Sequence, residues 1–134
     1  MGIFRNILVV HLREEKIQYF SDTEEELFNL LTEIGTKKNV AKLLVFFTGT
    51  PVATSHELER ATDLRQPEVS IAVKYLIEKG WISERENPSE SKGRPQKKYS
   101  LAVSVKKIFA SIEKEKKDEA NNKLALIKKI KSCL

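Results

Sequence analysis

Apolar residues recur at helical spacing along most of the chain, and one short stretch near the middle alternates instead. Leu27, Leu30, Leu31 and Ile34 form the first clear helical stripe. It is preceded by SDTE (21–24), the pattern of a capping box, in which Ser21 accepts from a backbone amide and Glu24 reaches back. Asp22, Glu24, Glu25 and Glu26 suit the positive end of a helix dipole. Gly35 is placed to close the helix in left-handed geometry. Thr36 is the expected cap of the next helix, whose inner face is Val40, Leu43, Leu44 and Phe47 and which Gly49 and Pro51 end.

A second capping box, TSHE (54–57), opens a short helix with Leu58 and Ala61 inward. Asp63–Leu64 reads as a turn. Pro67 then fits the first turn of another helix, where its missing N–H costs nothing. Val69, Ala72, Val73, Leu76 and Ile77 make the inner face of that helix, and Gly80 stops it. A short helix, a tight turn and a second helix form a helix-turn-helix. After Gly80 the period changes. WISERE (81–86) and QKKYSL (96–101) read as strands joined by the turn formers PSESKGRP (88–95), a hairpin with a basic tip.

The two ends are less determinate. In residues 1–20, Ile3, Phe4, Ile7, Leu8, His11 and Leu12 fit one helical face while Val9 and Val10 fit a strand; the expectation is a helix followed by a less regular segment. Beyond the hairpin, Val105, Ile108, Phe109 and Ile112 form one apolar stripe and Leu124, Ile127 and Ile130 another. Between them, 113–123 offers only Ala120, so one helix running through and a break at Asn121–Asn122 both fit. The expected organisation is an N-terminal extension (1–21), a central domain (22–102) and a C-terminal helical segment (103–134). The expected fold class is α+β, mainly α: a winged helix-turn-helix with a two-stranded β wing and extra N- and C-terminal helices.

Charge sharpens the picture. The formal net charge is +5 over 134 residues. Residues 103–134 hold nine lysines against four acids, a surplus equal to the whole excess. The stretch 85–98 carries five basic residues against two acids. Such concentration leans toward a polyanion partner. The apolar run ILVV (7–10) is far too short to span a bilayer, and no signal-peptide pattern is visible. With one cysteine, Cys133, the expected compartment is reducing and cytoplasmic.

The segments ATSHELERATDLRQPEVSIAVKYLIEKGWISERE (53–86) and KGRPQKKYSL (92–101) resemble archaeal-type winged helix-turn-helix transcriptional regulators, related to the sugar-responsive and multiple-antibiotic-resistance families. The resemblance covers roughly residues 22–112, and the GRP-x-K-x-Y-x-L ending of the hairpin supports it. It implies a sequence-specific DNA-binding regulator with a recognition helix at about 66–79 and a wing at 85–98. In regulators of this kind the wing tip meets the backbone or enters the minor groove, which makes Arg94 a candidate there.

The residues support that chemistry in their own terms. Off the inner face of the second helix lie Gln66, Glu68, Ser70, Ile71, Lys74 and Tyr75. Gln pairs with adenine, Glu accepts from cytosine, Ser adapts and Ile71 suits a thymine methyl. Arg65, Lys74 and Tyr75 suit phosphates, which position without reading sequence. The wing adds Arg85, Lys92, Arg94, Lys97 and Lys98. Each of these also fits the polar side of an ordinary amphipathic element. Glu68 is the outlier, because an acid near phosphates needs a base or Arg65 as partner. Trp81, directly after Gly80, reads as core.

No nucleotide-cradling glycine motif or zinc spacing is present, and no acid pair is marked out for catalysis. The expectation is therefore no enzyme, no cofactor and no metal. The C-terminal helix is expected to make a homodimer, its lysines adding DNA affinity or a solvated face. Two rivals remain: a winged-helix protein-interaction module, and an architectural DNA binder with little sequence preference.

Overall fold

The computed structural model describes residues 20–87 and 96–134. The helix expected within 1–20 and the wing tip, with Lys92 and Arg94, lie outside the described residues. The described elements are α1 (Asp22–Glu33), α2 (Lys38–Gly49), β1 (Val52–Thr54), α3 (Ser55–Thr62), α4 (Gln66–Glu78), β2 (Ile82–Asn87), β3 (Gln96–Leu101) and α5 (Val105–Ser132).

Local chemistry sets most of these limits. At the start of α1, Ser21 Oγ accepts from the Glu24 N–H at 3.2 Å, and Glu24 Oε1 accepts from the Ser21 N–H at 2.8 Å. The helix closes through Gly35, at φ 104°, where a side chain would be strained. There the Thr36 N–H donates to the Leu31 carbonyl and the Gly35 N–H to that of Thr32, which is the Schellman pattern. This corrects one expectation. Thr36 finishes α1 rather than capping α2, whose N-cap is Lys37 with no side-chain bond.

The buried face of α1 also differs from the expected one. Phe28 and Leu31 are buried, with Glu25, whereas Leu30 and Ile34 are exposed. The apolar residues cover an arc wide enough for two faces, and Phe28, the largest of them, takes the inner one. In α2 the expected positions Val40, Leu43, Leu44 and Phe47 are all buried, and so are Ala41, Lys42 and Val45. This helix is the centre of the first unit and packs on α1, α3 and α4.

Thr54 and Glu57 cap α3 as the sequence indicates, at 3.2 and 2.8 Å. Asp63 ends it in the left-handed region at φ 56°, and Leu64 is buried beneath the turn. Val69, Ala72, Val73 and Leu76 form the buried face of α4, with Ile77 half-buried at its edge. Gly80, at φ 77°, then turns the chain into the sheet.

The sheet has three strands in the order β1-β3-β2, all antiparallel. The β2–β3 pair is the two-stranded wing that the sequence indicates, and the three-residue β1 adds a strand on the other edge of β3. Val52 pairs with Ser100 and Thr54 with Lys98. Ile82, Tyr99, Ala53 and Trp81 are buried.

The chain divides into a unit ending at Ala102 and a second, Val103–Leu134. Within the second, α5 runs unbroken for 28 residues, about 42 Å at 1.5 Å per residue. Of the two readings of 113–123, the continuous one holds. Ion pairs Lys114–Asp118, Lys116–Glu119 and Lys117–Glu113 line its polar middle, each a modest local support. Ile108 and Ile112 are buried, while Leu124, Leu126, Ile127 and Ile130 are exposed. Among the described residues no helix is long and apolar enough to cross a membrane.

Candidate nucleic-acid interface

Two elements present the candidate residues: the leading end and outer face of α4, and the outer face of the sheet. The α3–α4 turn fixes the first. Its left-handed Asp63 reverses the chain in few residues, and Pro67 in the first turn of α4 suits the fixed φ of a new helix. With Val69, Ala72, Val73 and Leu76 inward, the opposite side presents Pro67, Ser70, Ile71 and Lys74, all exposed. Gln66 is exposed at the first position of the helix, and Arg65 is exposed just before it.

Glu68 has a local task. Its Oε1 accepts from the Arg65 backbone N–H at 2.9 Å, half of a capping box at the start of α4. The bond is to the main chain of Arg65, so the guanidinium side chain is not what holds this acid. Tyr75 is half-buried, its ring edge-on to Trp81 at 6.5 Å between centroids. Lys79 Nζ lies 5.6 Å from the Tyr75 ring and 5.8 Å from that of Trp81, within cation–π range. Tyr75 is thus partly a packing residue, and Trp81 is core as expected.

On the sheet, strand alternation sorts the basic candidates. Residues opposite one another share a face, and neighbours along a strand point to opposite faces. Thr54, Lys98 and Arg85 form one cross-strand row, on the same face as Val52, Ser100 and Ser83. Ser83 and Ser100 join through their hydroxyls at 3.2 Å. The other face carries Ala53, Tyr99 and Ile82, which are buried. Lys97 belongs to that second face, and its Nζ pairs with Glu84 at 3.5 Å.

Arg85 and Lys98 therefore stand directly opposite each other on the solvent side of the hairpin, and Lys97 stands apart from them. Among the described residues no ion pair joins either of the two to an acid. Like charges directly opposite destabilise a hairpin.

Around these cations the first unit is not basic. Residues 1–102 hold fifteen lysines and arginines against fifteen acids, while 103–134 carry the whole positive excess. The alternation of Tyr99 and Leu101 with Lys98 and Ser100 is enough to separate Lys97 from Lys98. Pro67, one helical turn from Ile71, is a surface residue that its role as helix starter obscures.

No family model matches the chain, and no curated protein matches it. Solved structures do. TrmBL2, an archaeal chromatin protein with a novel mode of DNA binding, is 19% identical over 81% of this chain, with a TM-score of 0.63. The match spans 39% of TrmBL2, so this chain corresponds to well under half of that protein. A transcriptional regulator is 17% identical over 75% of this chain and 70% of its own, with a TM-score of 0.50. A mutant MarR from E. coli, solved with operator DNA, is 18% identical over 97% of this chain and 94% of its own, with a TM-score of 0.47. At these identities the likeness to the first two establishes the fold, a winged helix-turn-helix.

Proposed function

We propose that this chain is a DNA-binding transcriptional regulator, a non-enzymatic homodimer acting in the cytoplasm without a cofactor. In this reading α4 enters the major groove with its N-terminal end nearest the base edges. Arg65 and Lys74 hold phosphates, and the wing, from Arg85 through Lys92 and Arg94 to Lys98, follows the backbone or the minor groove. The observation that carries the reading is the Arg85–Lys98 row, two like charges opposed on the solvent face beside a helix-turn-helix. A phosphate backbone is an anion that both cations can pair with.

The homodimer rests on α5. Its distal stripe leaves Leu124 at 62% and Ile130 at 63% exposure, with Leu126 and Ile127 beside them, an apolar face that a second copy of the helix would cover. The four lysines of 123–131 flank it without a single acid in 120–134, so dimer and DNA affinity draw on the same segment.

A second reading has its own support. The even charge of residues 1–102, the positive excess of 103–134 and the likeness to an archaeal chromatin protein favour binding with little sequence preference, through α5 more than through α4. Salt-titrated binding to genomic fragments and to random duplex DNA separates the two. Preference for particular fragments supports a regulator, and equal affinity for all supports the architectural binder.

A further inference from the structure

We infer that Ile71, with Pro67 one helical turn before it, is an apolar ridge that reads thymine methyl groups, and that Glu68 reads no base. The inference rests on the DNA-binding reading above and concerns what the leading half of α4 recognises.

A single exposed isoleucine is ordinary on a protein surface. Its position here is not. Ile71 is 73% exposed and lies opposite the buried row Val69, Ala72, Val73 and Leu76. A β-branched side chain gains nothing for the helix at a solvent position, because its restricted rotamers lower helix propensity. Pro67 stands at i−4, the neighbour on the same face, and is exposed too. Glu68, Lys74 and the half-buried Tyr75 are the other surface neighbours of Ile71, so the strip is bordered by an acid, a cation and one ring edge. That narrow apolar strip suits small methyl groups beside phosphates better than it suits a protein interface.

Glu68 completes the argument by elimination. A carboxylate reads cytosine by accepting from its amino group. This one already accepts from the Arg65 N–H at 2.9 Å and holds the first turn of α4 in place. Only Oε2 is then left to face a base, and a carboxylate brought among phosphates with no cation on it is repelled. In the major groove only thymine among the four bases presents a methyl group, at C5.

The test starts from duplexes that the wild-type protein selects from a randomised library. These are remade with deoxyuridine replacing one thymidine at a time, which removes only the C5 methyl. The wild-type protein should lose about fourfold in affinity at one or two positions, the transfer value of one buried carbon. Ile71→Ala should bind the selected duplex more weakly and be indifferent to the same replacements, closing a double-mutant cycle on the pair. Ile71→Val, which keeps part of the side chain, should retain part of the effect. Glu68→Gln, whose amide oxygen still accepts from Arg65, should keep the wild-type base preference. Wild-type melting of Ile71→Ala would confirm that the variant folds. If no thymine proves sensitive, or if Ile71→Ala stays as sensitive as wild type, the inference falls and the regulator reading stands. A library that yields no preferred sequence overturns both.

Discussion

Replacing Arg85 by Gln should make the free protein more stable and its hold on DNA weaker. The residue opposes Lys98 on the outer face of the β2–β3 hairpin. Cross-strand pairs contribute about 0.2–1 kcal/mol, with like charges on the unfavourable side. Both side chains reach solvent, so screening brings the expected relief to about 0.5 kcal/mol at low salt. A domain of roughly 100 residues shifts its Tm by about 4–8 °C per kcal/mol, so the gain should be about 2–4 °C. Thermal unfolding followed by circular dichroism at low ionic strength measures it, and the gain should shrink at high salt. The same variant, titrated with salt against duplex DNA, should show a slope shallower by about 0.9, because one phosphate fewer is neutralised. Lys98→Gln should repeat both effects. Lys97→Gln should show neither, because Lys97 faces the other side of the hairpin and pairs with Glu84. A lower Tm for Arg85→Gln, or an unchanged slope, would refute the idea that this row repels itself in the free protein and meets phosphate in the complex.

Other outcomes follow from the same geometry. Asp63 is the single non-glycine residue at positive φ among the described residues, so Asp63→Val should cost about 1–2 kcal/mol while Asp63→Gly should be neutral or stabilising, read from urea unfolding midpoints. Leu58→Ala, at a fully buried position of α3, should cost about 2–5 kcal/mol and lower DNA binding only by reducing the amount of folded protein. Thr54→Ala should cost about 1 kcal/mol by removing the α3 cap. Leu126→Glu combined with Ile130→Glu should convert a dimer to a monomer in sedimentation velocity while leaving the melting of the first unit unchanged; a variant that still sediments as a dimer moves the interface elsewhere.

Where local chemistry decides a structure, the sequence is enough to read it. SDTE and TSHE form the capping boxes expected of them, Pro67 begins α4, and Gly35 and Gly80 take left-handed turns. Their partners lie within a few residues, so no tertiary information is needed. What the pattern does not reveal depends on partners far along the chain. β1 is three residues with no alternation of its own, and it exists because Ser100 and Lys98 offer it a ladder. The face that α1 buries is chosen by α2, and neither Leu30 nor Phe28 announces the outcome alone. Thr36 has the chemistry of an N-cap, but closing α1 takes its backbone first.

The candidate site is legible in the same uneven way. Gln66, Ser70, Ile71 and Lys74 are on the exposed side of α4 because helical period alone puts them there. The same period groups Glu68 and Tyr75 with them, yet each has a neighbour that engages it: the Arg65 amide for one, Trp81 for the other. Lys97 and Lys98 are adjacent and alike in chemistry, and the pleat sends them to opposite faces.

The central claim is that this winged helix reads DNA sequence. The most direct measurement is a competition at fixed salt between a duplex selected from a random library and unselected duplex of equal length. Specific DNA-binding proteins prefer their sites by roughly 10³-fold or more, and a preference of that order, weakened in Ile71→Ala, is the predicted result. Equal affinity for the two duplexes would contradict it.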